Sequence, residues 1–230
     1  MVFILRLTPS ADFPLLQPKI RKRRIALAAF IGIAFLMGSD SSFAADGKAL
    51  FSACTACHGI RGEGDATLNA PAIAGQHAAY LERQLLNFRQ GTRGTHQADA
   101  PGAQMRAIAT TLVDDATAAG LAAYVAGLPG TVSSSATRGD LRNGNNLYQG
   151  KCGACHGTAG EGNARLKAPR LTGLDAGYLK RQFKNFRDGV RGTQKHDLPG
   201  RQMAMIAKTL PSERDLDDVI AYIQQRGRTR

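Results

Sequence analysis

Two pentapeptides carry reactive groups at a fixed spacing: Cys54-Thr55-Ala56-Cys57-His58 and Cys152-Gly153-Ala154-Cys155-His156. In Cys-x-x-Cys-His the two thiols are placed to form thioethers with the two vinyl groups of one haem, while the adjacent imidazole reaches the iron as an axial ligand. Cys54, Cys57, Cys152 and Cys155 therefore predict two covalently bound haem c groups, with His58 and His156 as iron ligands. Other uses of these residues fit less well. A zinc site built from the two Cys-x-x-Cys pairs leaves the twin histidines without a role, and a thioredoxin-like redox pair expects a βαβ context. Two small-loop disulfides also leave both histidines idle.

The opposite side of each iron decides between carrier and catalyst, because a filled strong-field position excludes substrate while an open one admits oxygen or peroxide. Beyond residue 44 the chain holds three methionines, and two of them occupy twin positions. Met105 and Met203 each lie 47 residues beyond the histidine, each after Gln and three residues before Ile-Ala. That twinning outweighs the ordinary use of methionine as core filler and predicts His/Met ligation, which gives iron of raised potential suited to passing one electron. Met205, with Ala107 at its counterpart, reads as core. His77, His96 and His196 face Asp175, Gln194 and Ala98 at the matching positions. His96 and His196 lie close enough to the methionines to replace them, but their lack of pairing makes them ordinary exposed loop histidines. Pro71 and Pro169, each 13 residues after a histidine, sit in matching Ala-Pro segments that can offer a backbone carbonyl to the second imidazole N–H.

The elements that must position these groups are duplicated. An offset of 98 residues maps Cys54 to Cys152 and Leu112 to Leu210 without a gap, with 34 identities in 59 positions. Two copies of one domain follow. Leu128 to Asp140 has the Pro, Gly and Ser content of a linker, so the boundary falls near Ser133, dividing the mature chain into domains 45–132 and 133–230. In each copy one apolar stripe recurs at i, i+4 and i+7: Leu81, Leu85 and Phe88, then Leu179, Phe183 and Phe186. Arg89 and Gly91, or Arg187 and Gly189, end that helix. Asp114 can cap a further helix running to Leu128, and Ser212 one ending near Gln225. Period-two alternation is not sustained anywhere, so the fold class is all-α, a tandem repeat with one haem per domain. With about 90 residues per domain and no Trp, each core is thin, and a covalently held apolar macrocycle would fill it.

Residues 1–44 read as a cleavable signal peptide, with the basic cluster Arg21 to Arg24, the apolar run Ile25 to Gly38, and small residues before a cut after Ala44. The apolar run is 14 residues, against about 20 needed to span a bilayer. The expected location is the periplasm, and the long stretch before the cluster suggests a start codon further downstream. Without the leader the net charge falls from +12 to +8. It is shared unevenly: residues 45–131 carry 6 basic and 7 acidic side chains, residues 132–230 carry 18 and 9. A dipolar carrier is oriented during encounter, so the basic second domain suits an acidic partner or an anionic membrane surface. Nucleic-acid binding is excluded as a reading, since no matching motif accompanies the charge.

Gly75-Gln76-His77-Ala78-Ala79-Tyr80-Leu81, then Gln84-Leu85 and Phe88-Arg89, and the Met105-x-x-Ile108-Ala109 element resemble motifs of the dihaem class I cytochromes of the cytochrome c4 type. The second copy departs in having Leu174-Asp175 where the first has Gln76-His77, which touches no ligand. The resemblance implies two cytochrome c folds packed together, with haems near enough to exchange electrons, serving a terminal oxidase, a cytochrome complex or a dehydrogenase. The chain is also similar to the dihaem cytochrome subunit of flavocytochrome c sulfide dehydrogenases. The expectation is an electron-transfer protein rather than an enzyme, either a free carrier or the electron-accepting subunit of a dehydrogenase complex. A dihaem peroxidase or thiosulfate dehydrogenase would need a labile or unusual sixth ligand at one iron.

Overall fold

The computed structural model describes residues 47–133 and 137–229; the expected leader lies outside them. Among the described residues helices dominate and no strand forms, apart from two isolated bridges, Asp65 with Ala70 and Asn163 with Ala168, which are themselves one repeat apart. The first half runs from a helical segment at 47–51 through a short 3-10 turn, Ser52–Cys54, into α1 (Thr55–His58). It continues with α2 (Ala78–Arg89), α3 (Ala100–Ala109) and α4 (Asp115–Gly127). The second half comprises α5 (Leu141–Lys151), α6 (Gly153–His156), α7 (Ala176–Arg187), α8 (Leu198–Ala207) and α9 (Glu213–Arg228).

Capping chemistry sets these boundaries. Asp99 and Asp197 accept from the backbone N–H of Gly102 and Gly200 at 3.1 and 3.0 Å, and a proline follows inside each first turn. Asp114 accepts from Thr117, Asp140 from Arg142 and Asn143, and Ser212 from Asp215. Each such cap is worth about 1 kcal/mol. α9 outruns its expected end by three residues, its last turn closed by Thr229 N–H on the Gln225 carbonyl. The Gln76-His77 to Leu174-Asp175 change alters a cap. Asp175 accepts from Tyr178 N–H, whereas His77 at the same place makes no capping bond.

The predicted stripes face inward. Leu81, Leu121, Ala122, Val125 and Phe51 form the first core, where α2 packs on α4. Tyr148, Leu174, Leu179, Leu216, Val219, Ile220, Tyr222 and Ile223 form the second, where α9 packs on α5. Gly144 permits that crossing, since a Cβ there would meet the Asp218 carbonyl. Met205 contradicts its assignment to the core: it is 64% exposed. It lies two residues beyond Met203, some 200° around the helix, so a half-buried Met203 turns Met205 outward. No helix among the described residues is long and apolar enough to cross a membrane.

Candidate haem centres

His58 ends α1 and is 6% exposed. Its Nδ1 lies 2.8 Å from the Pro71 carbonyl oxygen, an acceptor only, so Nδ1 carries the proton and Nε2 keeps its lone pair. That Nε2 faces the Met105 Sδ at 3.5 Å. Burial lowers the His58 pKa, against the opposing pull of the Pro71 carbonyl, and keeps the imidazole neutral. His156 repeats the burial and the proline contact: it is 6% exposed, its Nδ1 is 2.9 Å from the Pro169 oxygen, and burial lowers its pKa. Met203 occupies on α8 the half-buried place that Met105 has on α3.

None of the four cysteines is in a disulfide; Cys54 and Cys152 are half-buried, Cys57 and Cys155 exposed. Burial pushes the Cys54 thiol up and Cys152 to about 11, the reverse of the lowered values that redox-active thiolates require. Among the described residues no three His, Cys, Asp or Glu side chains converge as a metal site, so the zinc alternative has no geometry to support it.

A cavity opens between Cys54, His58, Pro71 and Met105, walled by Leu81, Leu85, Phe88, Leu121 and Val125. Such an apolar slot, with a nitrogen and a sulfur donor facing each other across it, suits a flat macrocycle carrying a central iron. The two donors stand closer than the about 4.3 Å expected of first-row metal bonds on both sides. The cavity's far wall comes from the other half: Tyr178, Arg181 and Gln182.

That wall belongs to a polar seam with a near-twofold pattern. Arg93 donates to Gln84 and Gln182, each at 2.9 Å, and Arg191 donates to the same two oxygens, each at 2.7 Å. All four side chains are buried, and each guanidinium lies over a phenylalanine ring, Phe88 or Phe186, at 4.4 Å. Arg83 donates to the Lys167 carbonyl and Arg181 to the Asn69 carbonyl, both at 2.9 Å; Asn69 and Lys167 both hold the left-handed conformation. Gln76 clasps the Arg170 backbone through both N–H and C=O, and His77 Nε2 meets the Glu161 oxygen at 3.1 Å. His196 is exposed and bonds Thr92 across the seam at 2.7 Å, while His96 bonds its own loop at Ala98.

Neither Arg93 nor Arg191 is in an ion pair with a carboxylate among the described residues. Burial and the adjacent Arg93 charge push the Arg191 guanidinium below its ordinary value, and Nε of Arg93 and of Arg181 is buried without a partner. Against the effect of its burial, Arg93 is helped above its ordinary value by Asp99, but two buried guanidiniums beside one carboxylate are still costly. A haem brings two carboxylates as well as its ring, so these groups fit it independently of the cysteines. The seam escaped the sequence reading although its signal was present, since Tyr80, Arg83, Gln84 and Arg93 recur as Tyr178, Arg181, Gln182 and Arg191.

Comparison with known proteins agrees with this geometry. The cytochrome c family model matches the chain twice, at residues 44–129 and 141–227, one match around each pentapeptide. Cytochrome c4 of Azotobacter vinelandii is 32% identical over 218 residues, covering 89% of this chain and 99% of the relative. A thiosulfate dehydrogenase electron acceptor of Stutzerimonas stutzeri is 32% identical over 214 residues, covering 85% and 93%. The crystal structure of reduced recombinant cytochrome c4 from Pseudomonas stutzeri aligns with a TM-score of 0.62 at 29% identity, over 79% of this chain and 97% of that one. With two Cys-x-x-Cys-His segments in two helical repeats, the chain carries two covalent haem c groups and passes electrons between redox proteins; it belongs to the cytochrome c family, as a dihaem member of the cytochrome c4 type.

Proposed function

We propose that this chain is a periplasmic carrier of single electrons in which His58 and Met105 hold one haem iron and His156 and Met203 the other. The observation that carries the reading is the opposition of His58 Nε2 and Met105 Sδ at 3.5 Å, with Nδ1 tied to Pro71. Iron held this way supplies a reversible one-electron change, and the thioether raises its potential relative to a second nitrogen ligand. The protein's own part is positional. Cys54 and Cys57 would anchor one ring, and Cys152 and Cys155 the second; the Pro71 and Pro169 carbonyls keep a proton on Nδ1 of each histidine, and the apolar walls exclude water. The buried arginines of the seam would offer positive charge to the ring carboxylates.

The export leader 1–44 and the division into domains 45–132 and 133–230 are part of this proposal. Intact mass of the periplasmic protein should begin at Ala45 and exceed the chain by two haem masses. Its ferrous form should leave carbon monoxide unbound, because a histidine and a methionine would hold each iron. Binding of carbon monoxide by the untreated protein would contradict the carrier reading and favour catalysis at an open iron.

A second reading has a specific support, the likeness to a relative named as a thiosulfate dehydrogenase electron acceptor. On that reading the chain accepts electrons as the resident subunit of a dehydrogenase. Size-exclusion chromatography of periplasm separates the two: the free carrier elutes near its own mass, the subunit with its enzyme. A terminal oxidase or cytochrome complex is the acceptor expected of either form.

A further inference from the structure

α3 and α8 are the same helix in two copies, and each presents two stripes. The inner stripe is unchanged: Gly102, Met105 and Ala109 against Gly200, Met203 and Ala207. The outer stripe follows the spacing i, i+3, i+7 and i+10, which keeps four residues on one helical face. In the first copy it reads Ala100, Ala103, Ala107 and Thr110; in the second, Leu198, Arg201, Met205 and Lys208. All eight positions are exposed. Leu198 is 63% and Met205 64% exposed, so neither has been enlarged to fill the interior.

This face lies beside the second haem site. Lys151, which immediately precedes Cys152, reaches Thr209 just beyond α8, its Nζ 3.5 Å from the hydroxyl. Its counterpart is Ala53. At these five positions small neutral residues of the first half stand where the second half has two large apolar groups and three cations, while Arg106, exposed beside the stripe on α3, has Ala204 as its counterpart. An apolar centre with a charged rim is the anatomy of a protein interface, and a polarizable methionine adapts to a partner's contour. The half that carries the face holds 18 basic and 9 acidic side chains.

We propose that Leu198, Arg201, Met205 and Lys208, with Lys151, form the docking face for an acidic one-electron redox protein, whose own centre lies under an apolar patch bordered by carboxylates. One electron would pass per encounter: the haem held by Cys152, Cys155 and His156 would give up one electron, the partner's centre would take it, and no bond is made or broken. The cations steer the encounter from a distance, while Leu198 and Met205 exclude water at the contact. The first half, whose matching stripe is small and neutral, is the other terminal of a directional pair. This inference rests on the carrier reading.

The test uses the two-haem protein and, as probe, a blue-copper protein with an acidic patch beside its copper edge. With both proteins reduced no net transfer occurs, and NMR shift changes should map to residues 198, 201, 205 and 208. With the probe oxidised, R201E/K208E should lower the low-salt second-order rate about tenfold or more and flatten its salt dependence. M205A should slow transfer at every salt concentration. A103E/T110E in the first half should leave the rate about unchanged, and intact mass should find both haems in every variant. Equal losses from the first-half pair, or shifts mapping elsewhere, would overturn the proposal. So would binding to phosphatidylglycerol vesicles that R201E/K208E abolishes while the protein probe is unaffected, or self-association that M205A abolishes. A ferrous protein unable to reduce even ferricyanide would instead break the carrier reading beneath it.

Discussion

In the first half the helix that ends in Asp115–Gly127 buries four of its residues, all small or medium apolar groups; in the second, Glu213–Arg228 buries nine, among them Leu216, Ile220 and Tyr222. The haem-facing parts match, with His58 and His156 equally buried and each bonded to a proline carbonyl. Duplication has preserved the Cys-x-x-Cys-His segments, the twin methionines and the arginine–glutamine pairs of the seam, whereas Gln76, His77 and Thr92 at its edge have diverged. The second half has gained a larger core and a charged, apolar surface; the first relies more heavily on its prosthetic group to complete its interior.

The largest expected effect tests that unequal reliance. C54A/C57A should remove the first haem and unfold the first half, whereas C152A/C155A should remove the second haem yet leave more residual helix around α5 and α9. Hydrogen exchange resolved by segment reads both; equal collapse of the two halves would erase the contrast drawn from their cores. Next comes the axial pair. M203A should turn one haem high-spin and open it to carbon monoxide, leaving the Met105 haem untouched, and M203H should restore six-coordination at a lower potential.

Smaller, and symmetric, is the seam. Gln84→Leu and Gln182→Leu each strip an acceptor from both Arg93 and Arg191. Each unsatisfied buried donor costs about 1–3 kcal/mol, so both variants should lower the melting temperature by similar amounts. A loss confined to one of them would break the twofold description. Acid should act modestly. Asp114 is held below the ordinary carboxylate range first by the Thr117 hydroxyl, Asp140 by the Asn143 N–H, Asp215 by the Ser212 hydroxyl and Glu213 by the Arg187 guanidinium. Groups with depressed folded-state values stabilise above their unfolded values and lose that contribution as pH falls through the folded ones. Melting temperature should hold near neutrality and fall below about pH 4, with the two halves loosening together, since Glu63 and Asp65 are held low beside Asp114 in the first half as Asp140, Glu213 and Asp215 are in the second. Smallest is M205A, whose side chain is 64% exposed; its effect on stability should stay within about 0.5 kcal/mol.

Local chemistry was the legible part of the sequence. Spacing alone pointed to the Cys-x-x-Cys-His segments and anticipated the contacts of His58 with the Pro71 carbonyl and of His156 with Pro169, because each depends on a short segment closing on itself. The stripes on α2 and α7 and the caps at Asp114 and Ser212 were legible for the same reason. Met205 was misread because neighbours in sequence lie on opposite sides of a helix, and a type-based expectation ignored the 200° between it and Met203. The arginine–glutamine seam was invisible to periodicity: its partners are about 90 to 107 residues apart, and it exists only once the two halves meet. Identity of polar residues between the copies was its one trace, since surface positions free of such constraint, like Ala103 and Arg201, have diverged.

Near-infrared magnetic circular dichroism of the oxidised protein, together with its electron paramagnetic resonance, tests the two-haem His/Met carrier most directly. The account predicts two low-spin ferric haems, each contributing the weak sulfur-to-iron band, with the band halved in M105A and in M203A. One high-spin or bis-nitrogen haem in the unmodified protein would contradict it, turning attention to His96 or His196 as ligands and to catalysis at the altered iron.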